Sequence, residues 1–280
     1  LWIRSRLAAC IAVTRSGFAN YRFDLATQAL YEFTWHEFCD WYLELTKPIL
    51  NSETASDAQK RGARETLATV LGALFRLLHP ILPFVTEELW LALSSKLGRD
   101  SETIMLEPYP GVDDFAADET ATGEVDWLKG FIVAVRKIRG EMNLSPGRPL
   151  PVRLEGHSEL DRLRVDRLRI YIDRLARIES IDWLEPGESA PGAASELLGD
   201  MRILIPLAGL IDADKEIERL QKQLDKVAKD MAQTEKKLGN ERFISNAPAE
   251  VVATERERAA DLEQRRSRLE GQIEKLRELG

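Results

Sequence analysis

Hydrophobic residues recur every three or four positions along most of this chain, which is the spacing of helices that bury one face. The last seventy residues show the pattern most clearly, in two stretches separated by a break. The apolar seam positions are Ile217, Leu220, Leu224, Val227, Met231, Thr234 and Leu238, followed by Val252, Ala259, Leu262, Leu269, Ile273 and Leu276. A seam that narrow is typical of a coiled coil.

The two stretches match as mirror images, which predicts an antiparallel hairpin. Folding the chain back near Asn246 places Leu220 opposite Ile273. Gly239 and Asn240 are stop signals for the first helix, and Pro248 suits the first turn of the second. Each helix of about 27 residues would be roughly 40 Å long. We therefore predict a stiff C-terminal arm.

Residues 1 to about 98 are predicted to be all-helical. The first helix covers residues 2–14 and ends near Gly17. The second runs from a cap at Asp24 to Pro48 and is apolar nearly all round, which favours a place inside a bundle. A third helix carries Leu67 to Leu78, and a fourth starts at Pro83 with Val85, Leu89 and Leu93 facing inward.

The pattern changes after residue 122. A helix is predicted over residues 125–139, then strands over 150–154, 178–184 and 201–207, with a helix over 160–176 between the first two strands. The predicted fold is mainly α: a helical bundle, a small α/β subdomain and an antiparallel coiled-coil hairpin. The corresponding domains are residues 1–122, 123–210 and 211–280.

Composition excludes several classes of protein. No apolar run reaches the length of a membrane span, and two cysteines among 280 residues predict a reducing, cytoplasmic location rather than a disulfide framework. The net charge of −8 does not by itself indicate nucleic-acid binding. The chain lacks an initiator Met, so we expect it to be part of a longer protein.

No motif for catalysis is found in the sequence. His36 and Cys39 have ligand-like spacing, but a zinc site wants about four ligands and no second pair supports them. Glycine-rich phosphate loops and histidine-based triads are not found either. We predict that the chain alone catalyses nothing and holds no cofactor or metal.

Several runs resemble the C-terminal part of bacterial valyl-tRNA synthetases. Residues 78–90, LHPILPFVTEELW, are similar to a run shared by the class I synthetases for branched aliphatic amino acids. Two further runs narrow the resemblance to the valine family: residues 138–147, IRGEMNLSPG, and residues 246–252, NAPAEVV, which follow Phe243 and Ile244. The resemblance covers essentially the whole chain.

The resemblance implies an anticodon-binding bundle followed by a tRNA-binding arm, with valine tRNA as the partner and neither DNA nor a membrane. It implies that the catalytic and editing domains lie upstream of Leu1, where the full-length enzyme uses ATP and Mg²⁺ to attach valine. It also implies that the bundle here is short of its first helix. We expect an apolar groove beside residues 24–47 through which the fragment self-associates, whereas the full-length enzyme is expected to be a monomer.

Three groups of residues are candidates for contacting tRNA. If the bundle helices run up and down, one pole gathers cations and an aromatic ring, which suits an unpaired anticodon. The pole residues are Trp2, Arg4, Lys47, Lys60, Arg61 and Arg64. A second group, expected to hold phosphates of the anticodon stem, comprises Arg136, Lys137, Arg139, Asn143 and Arg148.

The third group lies outside the seam of the arm and is expected to lean on the outer corner of tRNA through backbone contacts. Its members are Lys222, Lys226, Lys229, Lys236, Lys237, Arg256, Arg258 and Arg265. Arg266 falls within the seam, where a long side chain can extend its charged end to water. For all three groups the alternative is an ordinary solvated surface with i,i+4 ion pairs.

Two other functions remain open at this level. The alternatives to a valine-family tRNA-binding region are a structural coiled-coil module that recruits a partner helix and the same region of another class I synthetase. A stable dimer through residues 211–280 would favour the first.

Overall fold

The structure is a computed structural model that describes residues 1–98, 100–185, 187–210, 213–240 and 248–277. The chain forms two compact units. The first comprises residues 1–130 with 164–175, and the second comprises residues 131–163 with 176–280. The predicted mainly α fold with a small sheet and a helical hairpin is confirmed.

The first unit begins with four consecutive helical segments. Helix α1 spans Trp2–Ala19, α2 spans Phe23–Glu32, and the chain continues through a π-helical segment, Phe33–Tyr42, into α3, Leu43–Leu50. Leu7, Ile11 and Leu30 are fully buried in the core between these helices. Gly17 does not end α1 as predicted. A Cβ there would lie 3.0 Å from Ala26, so the glycine permits α1 and α2 to approach closely.

Three predictions about the second helix are wrong in detail. Asp24 lies in its first turn rather than at the cap, and its carboxylate accepts two hydrogen bonds from Arg22. Pro48 does not stop the helix, which ends only two residues later. The helix is also not buried all round, since Tyr31 and Trp35 are about half exposed. The apolar composition of a helix does not reveal which of its faces pack against other helices.

Helices α4, Asp57–Leu78, and α5, Pro83–Lys96, follow. The buried face of α5 is Thr86, Trp90 and Ser94, and of the predicted inward row only Leu93 packs against the core, since Val85 and Leu89 are exposed. Thr86 is buried because its hydroxyl is bonded to His79 and to the carbonyl of Leu82, which compensates for desolvation of the polar group. Single 3₁₀ turns at Ile104–Leu106 and Val112–Asp114 lead to α6, Glu119–Glu141.

The start of α4 is fixed by a capping box. Ser56 Oγ accepts a hydrogen bond from the Gln59 amide, and the Gln59 side chain accepts one from the Ser56 amide. Replacing Ser56 by alanine should lower the free energy of unfolding by about 1 kcal/mol, because the Gln59 amide loses its acceptor. Urea denaturation would measure the change, and Ser56→Asp, which keeps an acceptor, should restore the stability. Equal stability of the alanine and aspartate variants would contradict this expectation.

The second unit contains a four-stranded sheet. Strands β1, Leu150–Glu155, and β2, Ile178–Trp183, are parallel and are connected through helix α7, Glu159–Ala176. Strands β3, Ala193–Leu198, and β4, Met201–Pro206, form an antiparallel hairpin, and the strand order is β2-β1-β4-β3. The sequence did not predict β3. This edge strand begins Ala-Ala-Ser after a glycine and a proline, a composition typical of a loop.

The arm consists of helix α8, Ala213–Leu238, and helix α9, Ala249–Arg277. Its predicted seam forms one cluster in which the buried residues are Leu220, Val227, Leu262, Leu269 and Ile273. Arg266 Nη2 donates a hydrogen bond to Glu263 Oε1 at 2.6 Å, whereas its Nε is buried without a hydrogen-bond partner among the described residues. The predicted fold-back near Asn246, with the runs at 243–247, lies outside the described residues. Because the seam is filled by the chain's own helices, the arm needs no partner helix to bury it.

Candidate nucleic-acid interface

A cavity of about 410 Å³ opens at one pole of the helical bundle. Its walls include Trp2 at the start of α1, Thr46 near the end of α3, and Gly62 near the start of α4. These three helix ends therefore meet at one pole, as the up-and-down arrangement predicts. The volume lies within the range of about 300–1,000 Å³ that is typical of ligand pockets.

The cavity has apolar walls with a few polar atoms. Burial raises the pKa of Tyr42 to about 12 and also raises the pKa of Tyr171, so both phenols are neutral hydrogen-bonding groups at physiological pH. Trp2 also lines the cavity, and its buried indole N–H has no hydrogen-bond partner among the described residues. An apolar wall with a few hydrogen-bonding groups suits a planar, partly polar ligand.

The structure corrects the role predicted for Trp2. Its side chain is only 5% exposed, and the Lys129 ammonium lies 4.4 Å from the centre of the ring. A ring so enclosed cannot stack on a base from outside. It forms part of the wall instead.

The predicted cations of the pole have different surroundings. Arg4 lies 5.6 Å from the ring centre of Phe115, and Lys47 is paired with Glu44. Arg61 and Arg64 are exposed and Lys60 is half-buried. The structure gives these three no ion pair within the part of the chain that it describes.

Sequence analysis did not identify a second group of charges beside the cavity. Glu124 lines it and pairs with Arg164 at 2.9 Å and with Arg167 at 3.2 Å. Arg167 remains two-thirds exposed. Glu124 and the two arginines are forty or more residues apart, and local patterns give no signal for such a pair.

The predicted stem-binding group is divided by the structure. Arg136, Lys137 and Asn143 are exposed, and Lys137 donates a 2.6 Å hydrogen bond to Glu196, which raises the pKa of the lysine. Arg139 and Arg148 instead donate to backbone carbonyls of the protein.

Arg139 therefore does not serve as a phosphate ligand. It is 7% exposed, and its guanidinium donates to the carbonyls of Ser145, Ala176 and Arg177 at 2.9 to 3.0 Å. Burial lowers the pKa of this side chain. The basic pattern 136–139 did not reveal this role, because the acceptors come from another part of the chain.

Two of the predicted arm cations are paired. Lys222 donates to Glu218 at 2.7 Å and Lys237 donates to Glu255 at 2.6 Å. The other six are exposed and have no ion pair among the residues that the structure describes. These are Lys226, Lys229, Lys236, Arg256, Arg258 and Arg265.

The lysines of α8 form one stripe along the helix. Lys222, Lys226, Lys229 and Lys236, with Gln233 between the last two, are spaced by three or four residues. At 100° per residue they lie within an arc of about 80°, opposite the seam. The arginines of α9 lack this regularity, since Arg256 and Arg258 are two residues apart and point about 160° away from each other. The four lysines on the outer face of α8 therefore form a more regular cationic surface than the arginines of α9. We call these four lysines the lysine stripe.

Other types of site find no support within the described ranges. No three His, Cys, Asp or Glu side chains there form a group able to hold a metal ion. None of the described helices has both the length and the apolar composition required to cross a membrane.

Comparison with protein families identifies two regions. Residues 1–154 match the anticodon-binding domain of tRNA ligase, and residues 212–277 match the valyl tRNA synthetase tRNA binding arm. The first match alone covers more than half of the chain and includes most residues of the cavity at the bundle pole. The second covers both helices of the arm.

Individual curated proteins give the same result. The chain is 46% identical over 261 residues to valine–tRNA ligases from two strains of Stenotrophomonas maltophilia, R551-3 and K279a. In both cases 93% of this chain is covered, but only 27% of the relative. The chain thus spans about a quarter of the length of these relatives.

Proposed function

Because the chain belongs to the anticodon-binding domain family of tRNA ligases and carries a valyl-tRNA synthetase arm, we propose that it is the tRNA-binding part of a valine–tRNA ligase. In this proposal it binds valine tRNA at the anticodon and at the outer corner. Attachment of valine, with ATP and Mg²⁺, belongs to other domains of the same enzyme. The proposed location is the cytoplasm, where tRNA is charged.

The observation that carries the proposal is the cavity at the bundle pole together with the cations near it. Proteins recognise single-stranded RNA loops by inserting splayed bases among aromatic and polar side chains. The cavity provides Tyr42 and Tyr171 for this purpose, and Arg61 and Arg64 on the adjacent helix are available to the phosphates. We propose that an unpaired anticodon base enters the cavity.

The arm makes the second contact in this proposal. The lysine stripe is evenly spaced, and three of its lysines, Lys226, Lys229 and Lys236, have no ion pair among the described residues, so they are available to neutralise phosphates. Such contacts supply affinity and orientation without selecting a sequence. The bundle pole therefore accounts for specificity, and the arm accounts for much of the strength of binding.

Filling the mouth of the cavity should test the anticodon contact. Gly62 lines the cavity, and a Cβ added there meets nothing within 4 Å. Gly62→Met should reduce the preference for valine tRNA over a tRNA with an altered anticodon by up to about tenfold, or roughly 1.4 kcal/mol. Fluorescence titrations with the two tRNAs would measure the preference.

The matched control is Gly62→Ala, which adds a helix-favouring methyl group without reaching across the cavity. It should keep the preference intact and stabilise the helix slightly. An unaltered chain that binds both tRNAs equally would disprove anticodon recognition. An unaltered preference in Gly62→Met would show instead that the base binds elsewhere.

A further inference from the structure

The run of residues 138–147 helped to identify the family, yet Arg139 within it and Arg148 directly after it, both predicted RNA ligands, are engaged within the protein. The part of the chain concerned is the end of α6 and the loop that follows, residues 141–148. It lies in the second unit, together with the arm and the sheet. Its contacts give it a structural role that RNA binding does not explain.

The chain leading to α8 and the helix α9 both form hydrogen bonds with this segment. Arg148 donates from Nη1 to the Leu210 carbonyl and from Nη2 to the Gly209 carbonyl, both at 2.9 Å, just before α8. Gln272, near the end of α9, donates to the Glu141 carbonyl at 2.8 Å. That carbonyl ends α6 and has no acceptor role left within its own helix. The hairpin is therefore anchored on each side.

The segment is itself fixed. Met142 and Leu144 are buried, and Asn143 between them has a φ of 50°, a left-handed conformation that asparagine tolerates. Arg139 ties the Ser145 carbonyl to the two carbonyls just before β2. An anchor of this kind transmits the orientation of the sheet to the arm.

The hydrogen bonds from Arg148 restrain the backbone at a point where it could otherwise bend. Gly209 has a φ of 73°, and glycine gives the backbone more conformational freedom than any other residue. Without a restraint it would serve as a hinge for the 26 residues of α8. Because such a helix is about 40 Å long, a 10° swing at the root moves the tip by about 7 Å.

We propose that residues 141–148 form a clamp that sets the direction of the arm, with Arg148 and Gln272 as positioning residues for tRNA binding. The clamp is inferred from the hydrogen bonds of Arg148 and Gln272. Its consequence for tRNA rests on the proposed function. The planar fork of Arg148 holds two successive carbonyls at once, which a lysine ammonium on a flexible stem does not reproduce.

A distance measurement tests the clamp without tRNA. Spin labels are placed on the exposed positions 197 of β3 and 233 of α8, in a full chain whose Cys10 and Cys39 are replaced by serine. We expect a narrow distance distribution that broadens by about 5 Å in Arg148→Met, since position 233 lies roughly 30 Å along α8, and further when Gln272→Met is added. Arg202→Met is the matched control, because it removes an exposed arginine that is paired with Glu155 on the sheet.

A titration with valine tRNA tests the consequence. Arg148→Met should weaken binding about tenfold, since an unfixed arm must be ordered on binding. Arg148→Lys should recover only part of that loss. Arg202→Met should bind like the unaltered chain.

The outcomes separate the two claims. A distance distribution that stays narrow in the double variant overturns the clamp, whatever happens with tRNA. A broadened distribution with unchanged tRNA affinity overturns the positioning role. If the unaltered chain binds no tRNA at all, the proposed function fails, while the distance measurement still decides whether the clamp exists.

Discussion

Replacing Lys226, Lys229 and Lys236 together by glutamine should lower the affinity for valine tRNA about a hundredfold near 0.15 M salt. The three side chains share the outer face of α8 and have no ion pair among the described residues. Each is therefore free to neutralise one phosphate and release its counterion. Because they are exposed and lie opposite the seam, the substitutions should leave the hairpin folded.

Salt dependence is the sharper measurement of this effect. If three phosphate contacts are lost, the slope of log K against log salt should become less steep by about 2.7, using about 0.9 per contact as for a duplex. The loss should also be equal for tRNAs with different anticodons, since backbone contacts carry no sequence information. Titrations at four or five salt concentrations would give both quantities.

The control changes the same charge on the other helix. Arg256, Arg258 and Arg265 replaced by glutamine should weaken binding less than tenfold, because they do not share one face. An equal effect of the two triple variants would show that attraction is spread over the whole arm. Unchanged affinity in the lysine variant would remove the arm from the tRNA interface.

Replacing Arg139 by methionine should destabilise the second unit by about 3 kcal/mol. The substitution leaves the carbonyls of Ser145, Ala176 and Arg177 without their donor, and hydrogen bonds to a charged group contribute about 1.5–3 kcal/mol each. The sum is reduced because the variant no longer buries a charge, which is itself unfavourable. Methionine retains much of the apolar stem, so loss of packing is a minor part.

Hydrogen exchange of the amides in β1 and β2 would measure this change, because those strands lie in the affected unit. Arg139→Lys separates charge from geometry. It keeps the charge but cannot direct three N–H groups in one plane, so its stability should fall between those of arginine and methionine. If Arg139→Met were as stable as the unaltered chain but flattened the salt dependence of tRNA binding, the buried structural role would be wrong.

The arm shows what a repeating hydrophobic pattern in the sequence can predict. Its heptad seam depends on residues three or four apart, and the structure buries Leu220, Val227 and Leu269 along it. By contrast, the buried face of α5 was mispredicted, because the polar Thr86 is buried through a hydrogen bond to His79. Strand β3 was missed for a related reason, since its pairing with β4 rather than its composition makes it a strand.

The candidate tRNA contacts were likewise predicted only in part from the sequence. The sequence placed three helix ends at one pole, and the cavity lies there. Trp2 was assigned to that pole, but its ring is buried in the core of the bundle, with Lys129 from far along the chain over it. The pairing of Glu124 with Arg164 and Arg167 was not foreseen at all.

The sequence by itself determined the mainly α fold, the family and the hairpin, because these depend on periodicity and on short runs of neighbouring residues. Only the tertiary structure decided which basic side chains face water and which hold the protein together. In the sequence, Arg139 and Arg148 look like any other cations. In the structure, Arg139 donates to the carbonyl of Ala176, which is 37 residues away, and Arg148 donates to the carbonyl of Leu210, which is 62 residues away. Such partners are brought close by the fold as a whole, and a local pattern carries no information about them.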